Sequence, residues 1–195
     1  GFDTDATADG TDVDLTLMGS DVKEVGLASS SANGDVVFTN PKSILDASMS
    51  NGAGDLKITY GATAIGTSDV QDLALTNVSA GTATFASIET VNVTSSLVAS
   101  TLTDLVIDGA SALNISGDAA LTITNDVNFK DATLATSVDG TIDASGLSGA
   151  LTISPNTSDN VTITGGSGDD VINMSTGLDA YDTIDGGAGD DTVSI

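Results

Sequence analysis

The sequence predicts an all-β chain wound as a parallel β-helix or β-roll solenoid of short strands. Three observations predict it. Apolar-x-apolar triplets recur along the chain, the period-two signature of a half-buried strand. The gaps between them hold Gly, Asp, Ser and Thr, without the amphipathic helices that an alternating α/β sheet needs. Aromatic residues make up only 3% and Trp is absent. A conventional globular core is hard to fill from that set, whereas stacked Val, Ile, Leu, Ala and Thr fill a solenoid.

Taken in order, the triplets are Val13-Asp14-Leu15, Leu56-Lys57-Ile58, Leu73-Ala74-Leu75, Val91-Asn92-Val93, Leu105-Val106-Ile107, Leu113-Asn114-Ile115, Leu121-Thr122-Ile123, Leu151-Thr152-Ile153 and Val161-Thr162-Ile163. Between residues 105 and 123 they repeat every eight residues. Gly or Asp punctuates most gaps, as in Asp108-Gly109, Gly117-Asp118 and Asp139-Gly140. Strands this short at this spacing fit a solenoid, and rows of Thr and Asn are expected on its outer faces. An antiparallel sandwich with turns every eight to twelve residues is the competing architecture. One segment departs from the rhythm. Asn40 to Ser48 has the composition of a short helix, with Asn40 as cap, Pro41 at the first position and Asn51-Gly52-Ala53-Gly54 ending it.

Near the C-terminal end one pattern is written twice. Gly165-Gly166-Ser167-Gly168-Asp169-Asp170-Val171-Ile172-Asn173 and Gly186-Gly187-Ala188-Gly189-Asp190-Asp191-Thr192-Val193-Ser194 both fit G-G-x-G-x-D-x-U-x, with U a large apolar residue. The glycines allow a tight loop of positive φ whose carbonyls turn toward one point. The Asp adds a charged oxygen, which suits a hard cation such as calcium. The last residues run out as a short strand with U pointing inward. Between the two lies a degenerate copy, Gly177-Leu178-Asp179-Ala180-Tyr181-Asp182-Thr183-Ile184-Asp185, after a three-residue insertion, Met174-Ser175-Thr176. Asn156 to Thr164 is a further degraded copy, with Ile163 at U and Val161 where the Asp should stand.

These nonapeptides resemble the repeats-in-toxin (RTX) proteins. The resemblance implies a parallel β-roll with calcium between loops stacked on the same side. By that family's coordination pattern one Ca2+ lies between Gly166, Gly168 and Asp170 of the first loop and Gly186, Ala188 and Asp191 of the second. Gly165, Gly187, Gly189 and Asp182 complete the candidate set. The expected organisation is an irregular β-solenoid over residues 1–155 that continues into an RTX-type roll over 156–195. A second likeness is the phrase Ile88-Glu89-Thr90-Val91-Asn92-Val93-Thr94, which is similar to one in bacterial surface-layer proteins of the Caulobacter type.

Charge and composition narrow the function. The chain carries four Lys+Arg against 28 Asp+Glu, a net charge of −24, and Glu24 and Glu89 are its only glutamates. A preference for Asp over Glu marks loops and ion contacts, while the plain alternative is a salt-adapted solvated surface. Nucleic acid is excluded as a partner because phosphate binding needs basic residues. There is no Cys and no His, which removes thiol chemistry, the usual zinc ligand and the usual general base. No G-x-S-x-G elbow is present, so no enzymatic activity is expected. The N-terminal Asp3, Asp5, Asp9, Asp12 and Asp14 crowd together, but their spacing fails the EF-hand pattern and no Glu closes the loop. No apolar run is long enough to span a membrane. Beginning at Gly1 and ending within the last repeat, the chain reads as a fragment of a longer protein.

The resulting expectation is a structural calcium-binding segment of a secreted surface-layer protein on the bacterial cell surface. Calcium would drive folding and self-assembly of identical copies into a lattice, and the resemblance implies type I export. A cell-surface polysaccharide anchor would lie outside the fragment. The alternatives are the secretion and folding module of an exported RTX enzyme or toxin, or the extender of an RTX adhesin.

Overall fold

Each apolar triplet lies on or overlaps a strand, because alternate residues point inward and only the apolar half of each triplet has to be buried. The computed structural model describes residues 11–19, 21–61, 66–125, 127, 129, 139–155, 160–175 and 177–195. The first turns contain β1 (Thr11–Asp14), β2 (Glu24–Ala28), β3 (Val36–Thr39), β4 (Asp46–Ser50), β5 (Leu56–Thr59) and β6 (Val70–Thr76). The middle holds β7 (Thr82–Phe85), β8 (Thr90–Ser95), β9 (Ser100–Leu102), β10 (Asp104–Val106), β11 (Ala112–Gly117) and β12 (Leu121–Ile123). The last turns contain β13 (Gly140–Leu147), β14 (Leu151–Ile153), β15 (Val161–Thr164), β16 (Val171–Asn173), β17 (Thr183–Asp185) and β18 (Thr192–Ser194).

The strands form three parallel sheets. Sheet A is ordered β1-β3-β5-β7-β10, sheet B is β2-β4-β6-β8-β11-β13-β15-β17, and sheet C is β9-β12-β14-β16-β18. Every pairing between them is parallel. This is a β-solenoid, and the parallel order excludes the antiparallel sandwich. Sheet B runs the whole length, while sheet A gives way to sheet C in the middle. The coil β8-β9-β10-β11 visits all three sheets. There β9 opens sheet C by lying over the loop beneath it, with Thr101 N–H on Val78 O and Thr103 N–H on Gly81 O.

This exchange explains the eight-residue rhythm. Leu105-Ile107, Leu113-Ile115 and Leu121-Ile123 fall on β10, β11 and β12, which belong to sheets A, B and C in turn. Eight residues carry the chain from one face to the next, and the full coil is longer. Gly140 pairs with Val161, Thr162 with Thr183 and Val171 with Thr192, each 21 residues apart.

The interior is a stack of apolar columns. Val91, Leu113, Ile142 and Ile163 follow one another in register on sheet B, all fully buried. The longest coils, such as the one from Leu121 to Leu151, add Val127 and the wholly buried Phe129 to the core, where the Phe129 ring lies against Gly140. Each such side chain contributes about 1.5–3 kcal/mol by leaving water. The outer faces carry the expected polar rows. Asn92 Nδ2 donates to Asp72 Oδ1 at 2.7 Å and Asn114 Nδ2 to Asn92 Oδ1 at 2.8 Å. Beside that row Thr90, Ala112, Thr141, Thr162 and Thr183 stand in register.

One expectation fails. No helix forms at Asn40 to Ser48, and β4 begins at Asp46. Leu45, Ala47 and Met49 are all buried, an alternation of period two that seats them in the core while the residues between face out. Asn40 and Asn51 adopt φ of 55° and 52° and act as turn residues at a coil's corners, a conformation Asn tolerates better than most side chains.

Two predictions follow from the packing. Gly117 has φ of 122°, and a Cβ there would come within 3.0 Å of the Ser95 carbonyl below. Gly117→Ala should therefore cost about 1–3 kcal/mol, measured by urea denaturation, and an unchanged midpoint would contradict the stacking. Asp14 is held below its ordinary 3.8 by the Thr16 hydroxyl, then the Thr16 N–H and Asn40; Asp143 is lowered by the Ser145 hydroxyl and N–H. Groups depressed in the folded state stabilise it above the unfolded pKa and lose that contribution as pH falls through the folded value. Thermal melts should show stability declining below about pH 4. Asp14→Asn with Asp143→Asn should flatten that decline.

Candidate metal centre

Parallel coils stack at strand spacing, about 4.8 Å, so the loops that turn from sheet B toward sheets A and C must stack as closely as the strands. Glycine recurs along this edge of the rod, though the turn at residues 96–99 lacks one. A Cβ on Gly54 would come within 3.0 Å of Gly34 O, and one on Gly81 would do the same to Gly54 O. Further along, Gly149 sits on Ala119 and Ala120, Gly168 on Gly149 and Gly189 on Gly168, with the same exclusion of a Cβ. The two nonapeptide loops are the last two steps of this column.

Their glycines are required mainly by that contact. Gly165, Gly166, Gly168, Gly186, Gly187 and Gly189 all leave less than 3.0 Å for a Cβ, against Gly186 O, Leu147 O, Ala150 N, Asp191, Gly166 O and Gly168 O respectively. Positive φ was expected of the whole set, but only Gly187 (89°) and Gly189 (132°) among them show it. Gly165, Gly166 and Gly168 lie close to a neighbouring backbone in ordinary conformations, and Gly186 lies against the Asp191 side chain of its own loop.

The structure brings the loops at 165 and 186 directly together. Gly165 N–H donates to Asp185 O at 2.7 Å, Ala188 N–H to Gly166 O at 2.9 Å and Thr192 N–H to Asp170 O at 2.8 Å. The 21-residue offset leaves the two loops in step despite the insertion at Met174-Ser175-Thr176. Asp182 lies on the opposite edge, at the start of β17 in sheet B, and is not brought to this pair.

The carboxylates have a structural task that the spacing did not reveal. Asp170, fully buried, accepts Leu151 N–H on Oδ1 and Gly166 N–H on Oδ2, each at 2.7 Å. Asp191 Oδ1 accepts Asp170 N–H at 3.0 Å. Asp182 accepts Val161 N–H on Oδ1 and Asp179 N–H on Oδ2. Each stands just before a strand and binds an N–H at the strand start of the preceding coil. The device recurs in reverse far from the nonapeptides, where Asp35 Oδ1 accepts Asp55 N–H and Asp55 Oδ1 accepts Thr82 N–H, each from the following coil. Its signal is Asp immediately before an apolar strand, as in Asp35-Val36, Asp55-Leu56, Asp170-Val171 and Asp191-Thr192. Such bonds are charge-assisted and satisfy donors that would otherwise be stranded at the ladder's end.

Whether a cation fits can be judged from the oxygens. The donors are all hard: carbonyls and carboxylates, the set that calcium prefers. Gly165 O and Gly166 O both lie within 3.0 Å of the point where a Gly187 Cβ would be, a small cradle between the loops. Oδ2 of Asp191 lies against Gly186 in the same step of the stack. The Gly165 and Gly166 carbonyls and Asp191 are the members of the candidate set with oxygen left to offer an ion, although Gly166 O already accepts Ala188 N–H and Asp191 Oδ1 already accepts Asp170 N–H. Asp170 fits less well, because both its oxygens are engaged by backbone. Among the described residues no three acidic side chains converge on one point.

Among the described residues the other acidic positions form no second centre. Asp12, Asp35 and Asp55 line an open groove on sheet A of about 280 Å³ together with Lys57. Of the N-terminal cluster, Asp3, Asp5 and Asp9 lie outside the described residues, as do the first four residues of the Asn156 to Thr164 copy. No helix of the described residues is long and apolar enough to cross a membrane. Comparison with known proteins returns no matching family model, no matching curated protein and no matching solved structure.

The clamp and ligand roles of the aspartates can be separated. In chelator, Asp170→Asn should lower stability by about 1–3 kcal/mol, because an amide NH2 would face a buried N–H. Asp191→Asn, which disturbs one half-exposed N–H bond, should cost less. Equal melting temperatures for Asp170→Asn and the unaltered protein in chelator would contradict the clamp.

Proposed function

We propose that this β-solenoid is a structural, calcium-responsive segment of an exported bacterial surface protein, most like a surface-layer subunit of RTX type. The observation that carries the reading is the direct stacking of the two G-G-x-G-x-D loops, which sets the Gly165 and Gly166 carbonyls against Gly187 while the Asp191 carboxylate lies against the adjacent Gly186. Carbonyl oxygens would supply most of the ion's shell and Asp191 a charge. Asp170 would organise the site by holding its loop to the coil below. A bound ion would act as a charge bridge between two coils, adding to contacts the fold already makes.

The net charge of −24 supports the same reading. Self-repulsion favours an expanded chain wherever calcium is scarce. At roughly millimolar calcium, loops with affinity near 10⁻⁴–10⁻³ M would fill and couple binding to folding. Divalent ions would also screen acidic faces that would otherwise hold identical copies apart, which is the requirement for a lattice. The rod itself favours a second reading: eight strands stacked in one sheet with a continuous core also suit a spacer in a surface adhesin.

Calcium titration of the purified chain tests the first reading. Strand signal in circular dichroism and melting temperature should rise with calcium and fall back in chelator, while magnesium should do much less. Electron microscopy of the calcium-loaded protein should then show planar arrays. Absence of any calcium response would overturn the metal assignment. A response with folded monomers and no arrays would favour the spacer.

A further inference from the structure

The chain contains two Asn-Gly pairs, Asn33-Gly34 and Asn51-Gly52, the dipeptide whose unhindered glycine nitrogen most readily attacks the neighbouring side-chain amide. Both asparagines are exposed at turns on the same edge of the solenoid, yet the structure treats them differently. Gly34 N–H is tied to Ser31 O at 2.9 Å. Gly52 N–H has no hydrogen-bond partner among the described residues. The carbonyl of Asn51's side chain also has a donor: Asn77, one coil on, directs its Nδ2 at Asn51 Oδ1 from 2.9 Å. No such donor reaches the Asn33 side chain among the described residues.

We propose that Asn51 is a site of spontaneous deamidation, selected over Asn33 by the fold. The Gly52 nitrogen attacks Asn51 Cγ, forming a C–N bond and giving its proton to solvent. Negative charge develops on Oδ1, where the Asn77 amide stabilises it as an oxyanion-hole donor does. The Cγ–Nδ2 bond then breaks, ammonia leaves with a proton, and a five-membered succinimide remains. Water opens that ring at one carbonyl or the other, leaving aspartate or isoaspartate at position 51.

The place matters because half-buried Gly52 is in contact with a coil on either side. Its carbonyl accepts Ser79 N–H at 2.9 Å and the Ser79 hydroxyl at 3.2 Å, and a Cβ at Gly52 would fall within 3.0 Å of Ser30. Isoaspartate adds a methylene to the main chain immediately before this contact. It therefore pushes the loop off the coils on both sides. The site makes the glycine edge sensitive to the age of the molecule.

The test is to incubate the folded protein at mildly alkaline pH and map peptides by mass spectrometry. Isoaspartate is scored by enzymic methyl transfer from S-adenosylmethionine. Acid should accumulate at position 51 several-fold faster than at position 33, and the difference should vanish in urea. Asn77→Asp keeps the side chain's shape while removing the donor. It should slow conversion at Asn51 about tenfold, the rate equivalent of one net hydrogen bond, without affecting Asn33. Equal rates at the two sites in the folded chain would overturn the proposal. So would an Asn51 rate that is unchanged or faster in folded Asn77→Asp. Should that variant fail to fold, the comparison of folded and urea-treated unaltered protein still decides.

Discussion

Everything in this solenoid depends on keeping one coil at strand distance from the next. Parallel hydrogen bonding sets that distance for the sheets, and the loops at the edges have no freedom to choose another. Where a loop crosses directly over a loop, the space left is smaller than a methyl group, so glycine recurs from Gly34 to Gly189. Where a strand begins, its first N–H has no ladder partner, so a short carboxylate in an adjacent coil supplies one. Gly and Asp, which dominate the turns by composition, are thus two answers to a single spacing.

Much of this was legible in the residues, because period two is a direct consequence of strand geometry. Val91-Asn92-Val93 and Leu151-Thr152-Ile153 could hardly have buried their apolar members any other way. The segment from Asn40 to Ser48 misled because its capping signals, Asn40 and Pro41, are local, whereas burial of Leu45, Ala47 and Met49 is decided by coils on either side. The replacement of sheet A by sheet C was invisible for a related reason. Leu105, Leu113 and Leu121 look alike in sequence, and only register shows that they face three different sheets. In the candidate centre, the pairing of the two loops followed from counting residues. The role of Asp170 did not, since an Asp between glycines reads the same whether its oxygens meet an ion or a backbone N–H.

The distinction bears on how such a centre evolves and works. A carboxylate already held by backbone N–H groups is preorganised, and an ion arriving beside it need not order the loop first. On the proposed reading a bound ion would add to this arrangement, coupling its binding to the stability of a fold whose loops the clamps help to hold. Asp35 and Asp55 show such a clamp working outside the nonapeptides. The clamp is the general device, and the proposed metal site would be an addition to it.

The same stacking has a mechanical consequence. The rod's long axis runs along the inter-strand hydrogen bonds, so a pull on its two ends loads successive coils in series. An end coil such as the one carrying β17 and β18 can peel away before the next feels much force. With a 21-residue repeat, each peeled coil would release about 70 Å of extended chain. Under tension the molecule would yield in many small steps, lengthening greatly before it parts, which is the behaviour of a shock absorber.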